Sequence, residues 1–321
     1  MSAPSSRDML VAGSKAAHQF SLQEKIMGAL ADLKIRFFPR RILVAGPYVG
    51  EFGHELMDWQ PWVRAQVGRY AEVHVITYPG RDQLYPGCKV HTHDVALETA
   101  GYKHGRLTPA EVKAMATQKA AELGLKNYDL MTALNVCSTY HQRYLLPAKY
   151  ELLGQPPPPD QIRDIAFHFR NIKKEGPDQT RNYPLEYCDQ LTEFCRSQNL
   201  SFFCIGHPRY SYCPPGAEDR RSEDLGASIA YIRSAKLLAG ELSGPMHLAQ
   251  LSGTAILIWA DGQWRLDNCQ RWNIFQVPTY IVANDSHRPP PEQVGRKILD
   301  SLADLGRRTN NFTKPAYTLP K

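Results

Sequence analysis

From about residue 41 onward, short apolar runs of strand length alternate with amphipathic stretches at helical spacing. Arg41-Ile-Leu-Val-Ala-Gly46 reads as a buried strand that runs into a glycine-bearing loop, Pro47-Tyr-Val-Gly-Glu-Phe-Gly-His54, and then into a helical pattern through Arg69. Glu72-Val-His-Val-Ile-Thr77 reads as a second strand ending at Tyr78-Pro79-Gly80, and a helix is expected over 109–123. The four consecutive prolines of Leu153-Gly-Gln-Pro-Pro-Pro-Pro-Asp160 can continue neither a helix nor a central strand, so they are read as an extended connector. Beyond them the alternation restarts, with strands over 164–169, 201–205, 236–240 and 255–259. Helices are expected over 185–198, 228–234, 246–251 and, last, 291–305. Alternation of this kind predicts parallel sheets. The expected fold class is α/β, with two Rossmann-like doubly wound domains, 41–155 and 160–321, facing across a cleft.

Residues 1–40 are read apart from both domains, as a Ser- and Ala-rich tail followed by a helix carrying Leu22, Ile26, Ala29, Leu30 and Leu33 at helical spacing. The following Lys34-Ile-Arg-Phe-Phe-Pro-Arg-Arg41 mixes basic and aromatic residues. It suits either a helix packed on the body through Phe37 and Phe38 or a peripheral contact with an anionic membrane.

Composition narrows the class. With 321 residues and 43% hydrophobic content, the chain can bury a core in each domain. It has neither an apolar run of membrane-spanning length nor an early apolar segment with a small-residue cleavage site, so a cytoplasmic protein is expected. The seven cysteines are scattered without a C-x-x-C pair, which reads as reduced thiols rather than a zinc or redox site. A net charge of +6 favours an anionic partner: nucleic acid, an anionic membrane or a phosphorylated small molecule.

The most informative segment is Gly240-Glu-Leu-Ser-Gly-Pro-Met-His-Leu-Ala-Gln-Leu-Ser-Gly253, which places Ser243 and Gly244 between a strand end and a helix start. Unpaired N–H groups and the positive end of the helix dipole make such a turn an anion site. Gly244 would let a ligand approach, Ser243 would cap the helix or donate to phosphate, and Pro245 suits the first helical position. His247, one turn in, is either a further donor to the same anion or a buried structural histidine.

The order strand, Gly-x-x-Ser-Gly-x-x-His-Leu-Ala-x-x-x-Gly, strand resembles the donor-phosphate segment of bacterial heptosyltransferase-like glycosyltransferases (ADP-heptose:LPS heptosyltransferases), which have the GT-B fold. The resemblance implies that Ser243, Gly244 and His247 lie against the diphosphate of a nucleotide-sugar donor. That family usually carries an Asp just before the Thr/Ser-Gly pair, whereas this chain has Leu242 with Glu241 beside it, so the identity of the donor does not carry over.

Ala166-Phe-His-Phe-Arg170 closes the first strand of the second domain and leads into a polar loop with Lys173, Lys174, Arg181 and Asn182. Ligands bind at this edge of open parallel sheets, and Arg170 with Arg181 could clamp a phosphate. The GT-B resemblance likewise implies a basic residue here facing the donor, with His168 and Asn182 beside it. Lys173 and Lys174 read as solvated loop. At the end of the next strand, Gly206-His-Pro-Arg209 offers His207 to the base or ribose, or is simply a basic turn. Trp259 either lines the donor pocket or caps the core with aromatic bulk.

The loop after the first strand has Gly46, Gly50 and Gly53 at a spacing that is not G-x-G-x-x-G, and no clear acidic residue follows the second strand, so a nicotinamide site is rejected. It instead carries Glu51, His54, Glu55 and Asp58, although Glu55 and Asp58 also fit the first turn of a helix as acids placed for its dipole. The resemblance implies that this loop, with Tyr48, Gly50, Gly53 and Glu55, faces the acceptor and supplies the general base. Glu51 is the first candidate and His54 the second. His91, His93 and Asp94 have metal-ligand atom types, but strand alternation separates Asp94 from the histidines. No Asp-x-Asp occurs, so neither metal nor cofactor is expected.

Together these readings point to a glycosyltransferase with a nucleotide-sugar donor and a saccharide or lipid-linked acceptor, inverting, metal-independent and without nucleic acid as partner. The rivals are a nucleotide-sugar epimerase, which would act without an acceptor, and a basic module that binds nucleic acid or a membrane surface and would show steep salt dependence.

Overall fold

The computed structural model describes residues 41–95, 107–133, 148–173, 181–260, 263–283 and 288–309. The tail and helix expected over 1–40, Lys174 and Cys137 lie outside them. By contact the described residues divide into two compact units. One takes the chain up to Glu51 together with Trp62–Tyr78 and Gly87–Ala148; the other takes Phe52–Pro61, Pro79–Pro86 and everything from Lys149 onward.

The first unit is built on four parallel strands, β1 (Ile42–Ala45), β2 (Glu72–Thr77), β3 (Lys89–Thr92) and β4 (Tyr128–Met131), in the order β3-β2-β1-β4. After β1 come three consecutive helical segments, Phe52–His54, a π-helical Glu55–Trp59 and Gln60–Gln66, taken together as α1, which changes unit between Pro61 and Trp62. Helix α2 (Pro109–Glu122) starts on a capping box: Thr108 Oγ1 accepts from Glu111 N at 3.3 Å while Glu111 Oε2 accepts from Thr108 N at 2.6 Å. Its Ala116 and Ala120 pack on Val44 and Ile76, so small residues on one helix stripe seat it against the sheet.

The second unit has β5 (Arg163–Arg170), α3 (Leu185–Ser197), β6 (Phe202–Cys204), β7 (Ser211–Tyr212), β8 (Glu218–Asp219), α4 (Leu225–Arg233), β9 (Ala235–Glu241), α5 (Gly244–Leu251), β10 (Ala255–Ala260), α6 (Gln263–Arg271), β11 (Thr279–Ala283) and α7 (Pro291–Thr309). The strands run parallel in the order β11-β10-β9-β5-β6-β8, with the short β7 antiparallel to β5. Every residue of β10 and the last six of β5 are buried, as strands covered on both faces require. One face packs its core from Ile165, Phe167, Phe169, Leu237, Leu257 and Trp259 against Cys188, Leu191 and Cys195 of α3 and Val294 and Ile298 of α7.

The α/β class with doubly wound parallel sheets is therefore the one expected. Helix α4 begins three residues ahead of the expected 228, because Asp224 caps it by accepting from Gly226 N at 2.7 Å. The chain enters the second sheet at β5, winds outward through β6 and β8, then returns to β9 on the other side of β5 and winds the opposite way. The C-terminal ends of β5 and β9 thus flank a topological switch point, the place in open parallel sheets where loops part and leave a crevice. Among the described residues no helix is long and apolar enough to cross a membrane.

Candidate functional site

At the switch point the two strands come unusually close. A Cβ on Gly240 would stand 2.4 Å from the His168 carbonyl oxygen and 2.6 Å from Met246 Cε, so only glycine fits there. The ladder pairs His168 with Gly240 and then ends. The next residue, Glu241, is fully buried and accepts from Arg170 N at 3.1 Å (Oε2) and from Tyr183 N at 2.8 Å (Oε1). Burial pushes its carboxyl up to about 7, against those two N–H bonds and the nearby Arg170 charge, which hold it down.

Around this carboxylate the structure gathers most of the donor-side residues expected from sequence. Arg170, itself buried, donates from a guanidinium nitrogen to Asn182 Oδ1 at 2.7 Å, and Asn182 clasps Ile172 through its carbonyl (2.9 Å) and its N–H (3.3 Å). Arg181 donates to the Leu242 carbonyl at 2.6 Å. Ser243 sits in an extended conformation at the N-terminus of α5. Its hydroxyl donates to the Glu241 carbonyl at 3.1 Å rather than capping the helix, and it lies 3.3 Å from His168 Nδ1. Burial, aided by the Arg170 charge, pushes His168 down to about 3, which leaves it neutral near pH 7. Helix α5 begins at Gly244, so Pro245 is in its first turn, a place where its missing N–H costs nothing.

The loop after β6 closes over the same spot. Gly206 has φ of 122°, and a Cβ there would lie 2.8 Å from His168 Cδ2 and 2.7 Å from Ser211 Oγ. His207 follows on this loop, half-buried, its ring tilted on Tyr210 with centroids 4.8 Å apart and its Nε2 3.7 Å from Glu223. Trp259 takes the second of its two sequence readings: it is fully enclosed in the core, 5.0 Å from the Tyr183 ring.

His247 is buried within the second unit. Its Nδ1 is 3.2 Å from Gln250 Oε1, and its ring meets the Trp272 ring edge-on at 4.6 Å. Trp272 takes His54 edge-on as well, at 5.4 Å, and His54 Nδ1 is 2.8 Å from Asp58 Oδ2 on the next turn of α1. The loop expected to run through His54 is thus shorter than its glycines suggested, since Gly53, His54 and Glu55 are helical. Phe52 lies over Gly244, where a Cβ would come within 2.8 Å of Phe52 Cδ1; the space that glycine leaves open is filled by this ring. The Arg81 guanidinium stacks 4.1 Å above the same ring. Arg81 and Tyr85 flank the short turn Asp82–Leu84 and reach the fully buried Glu55 at 2.8 and 2.7 Å. Glu55 is thereby satisfied inside the protein.

In the first unit, Glu51 is exposed at the end of the β1 loop, and its carbonyl accepts from the Tyr48 hydroxyl at 2.6 Å. Tyr48 and Gly50 are buried; His93 supports the loop by donating to the Tyr48 carbonyl at 2.7 Å. His91 turns elsewhere, its Nε2 3.0 Å from His74 Nδ1 with the two rings stacked. No cluster of three or more metal-ligating side chains occurs among the described residues.

Sequence reasoning missed Glu241 as the organising group and missed Arg81 and Tyr85. Glu241 carried one signal, a carboxylate ending an otherwise apolar strand beside a phosphate-type turn. Arg81 and Tyr85 carried none, since their partner lies 26 and 30 residues earlier.

No family model and no curated protein matches the chain in sequence. Among solved structures it is similar to a family 9 glycosyl transferase from Veillonella parvula, with a TM-score of 0.50 and 11% identity over 83% of this chain and 97% of that one. The ADP-heptose LPS heptosyltransferase II of E. coli gives a TM-score of 0.49 and 12% identity over 82% of this chain and 99% of that one. The likeness to the Veillonella protein is one of fold. The architecture of this chain, parallel α/β sheets with a topological switch point, is that of the GT-B fold.

Proposed function

We propose that this protein is a glycosyltransferase that moves a sugar from a nucleoside-diphosphate donor to a hydroxyl of a saccharide or lipid-linked acceptor, with inversion and without a metal ion. The observation that carries the reading is the convergence of Arg170, Arg181, Asn182 and the Ser243-Gly244 turn on one switch point. As the bond from the anomeric carbon to the diphosphate oxygen breaks, negative charge grows on the leaving group. Fixed guanidinium groups and the N-terminus of α5 stabilise that charge most where it is greatest, in the transition state. The neutral His168 holds Ser243 by a hydrogen bond without adding a second cation.

The attacking hydroxyl must lose its proton as the new bond forms. Glu51, exposed on the loop after β1, is the first candidate for that proton, and His54, oriented by Asp58, is the second. A lipid-linked acceptor would bring the chain to the inner face of a membrane. Thermal stabilisation by a panel of nucleoside diphosphates and nucleotide sugars tests the donor site. A selective shift that disappears in Arg170→Ala is expected; no shift with any nucleotide, in a folded protein, refutes the reading. Retention of the donor's anomeric configuration in the product, read by NMR, would refute inversion.

A further inference from the structure

Glu241 is a full carboxylate taken out of water at the end of an apolar strand, an arrangement that costs heavily unless its oxygens find donors. It finds two, and both are backbone groups. Arg170 N is the last residue of β5, and Tyr183 N lies just ahead of α3, so the two donors are the two ends of one connection. The side chain of Glu241 continues the hydrogen bonding between β5 and β9 past the end of the ladder, and it draws the far end of the connection onto the same point. The neighbouring carbonyls finish the tie: Leu242 holds Arg181, and Glu241 itself holds Ser243. Arg170, Asn182 and Arg181 are linked in turn through the 2.7 Å bond between the first two and the chain between the last two.

We propose that Glu241 is a positioning residue for an anionic diphosphate: its two oxygens fix the backbones that carry Arg170 and Arg181, and so set where both guanidinium groups stand. The proposal rests on the nucleotide-sugar reading above and adds to it a residue that is buried away from the ligand. Both accepted bonds are strongest with the ionised form, because protonation removes the charge and leaves one oxygen an O–H with reduced acceptor capacity. The ionisable groups around it are Arg170 from β5 and, from the α3 side, the Tyr183 hydroxyl and the Cys188 thiol; of these only Arg170 is charged near neutral pH. Protonation of Glu241 lies within reach of neutral pH, so anion affinity should fall as the pH drops below about 7.

The test uses the full chain and inorganic pyrophosphate, which carries no base, alongside nucleoside diphosphates. Glu241→Gln keeps the size and replaces one accepting oxygen by a donor. It is expected to weaken pyrophosphate binding by about tenfold or more, to speed amide exchange at Arg170 and Tyr183 in the unliganded protein, and to flatten the fall in affinity between pH 7.5 and 6. Wild-type affinity with an unchanged pH profile overturns the proposal, and so does faster exchange without weaker binding, which would make Glu241 structural only. If Glu241→Gln does not fold, Glu241→Asp keeps both oxygens but withdraws them by one methylene. The same loss is expected of it, and wild-type affinity would again overturn the proposal. A wild-type protein that binds neither pyrophosphate nor any nucleoside diphosphate defeats the functional reading itself; one that binds them with Glu241 indifferent defeats only this inference.

Discussion

His168 offers a quantitative handle on the site. It is a buried imidazole between Gly206 and Ser243, held neutral by burial and by the Arg170 charge, so that it takes a proton only near pH 3. In the unfolded chain it would take that proton near 6.5. The unfolded state therefore binds more protons between these values, and the stability His168 contributes is complete above about 6.5 and is lost as the pH falls toward 3. At pH 5 the loss from this one side chain comes to about 2 kcal/mol, from the log of the ratio of binding polynomials at about 1.4 kcal/mol per unit. Urea unfolding of wild type and His168→Gln at pH 7.5 and pH 5 isolates the term, since the slopes contributed by all other groups are common to both proteins. Wild type should lose about 2 kcal/mol more than the variant over that interval. Equal losses in the two proteins would show that His168 is protonated in the folded state at pH 5, and the burial argument would fail.

Gly240→Ala should destabilise by about 1–3 kcal/mol, because its Cβ meets a carbonyl of the adjacent strand that cannot swing aside; denaturation midpoints read this, and a neutral outcome would contradict the close approach. Arg81→Ala should cost about 3–5 kcal/mol by leaving Glu55 buried without its counter-charge, and Glu55→Gln in the same background should recover much of it. In the first unit, burial foremost and then the charges of His74, Lys119 and Lys89 hold His91 below the usual histidine range. Its NMR titration midpoint should fall below 6.5, and stability from it should fade as the pH drops past that value; a midpoint at or above it would refute the assignment.

The buried strands were legible because apolar runs of their length have few other uses: β1, β2, β5, β9 and β10 all begin and end within a residue or so of the expected bounds. The strand edge at the switch point was legible too, through Arg170 and through Ser243 between Gly240 and Gly244. What the sequence hid depends on long-range packing. The strand β11 is short and only partly buried, and α6 is mostly polar, so neither stands out from its flanks. The start of α1 was hidden for another reason. Gly50 and Gly53 advertise a loop, whereas packing of Phe52 on Gly244 and of Gly53 beside His247 turns the second of them into helix. Glu241 read as a polar strand end because nothing local shows that two distant N–H groups will converge on it.

The division of the chain into units has a consequence in time. Phe52–Pro61 and Pro79–Pro86 leave the ribosome well ahead of the rest of the unit they belong with, whose α5 is completed only at Leu251. At roughly 5–20 residues per second these segments wait on the order of ten seconds or more for the partners they pack on. During that interval the aromatic ring of Phe52 is without Gly244, the residue at the start of α5 that it packs on. A fragment beginning at the proline run would lack both segments altogether, so the second unit is not a separable cassette: its completion requires residues that precede that run.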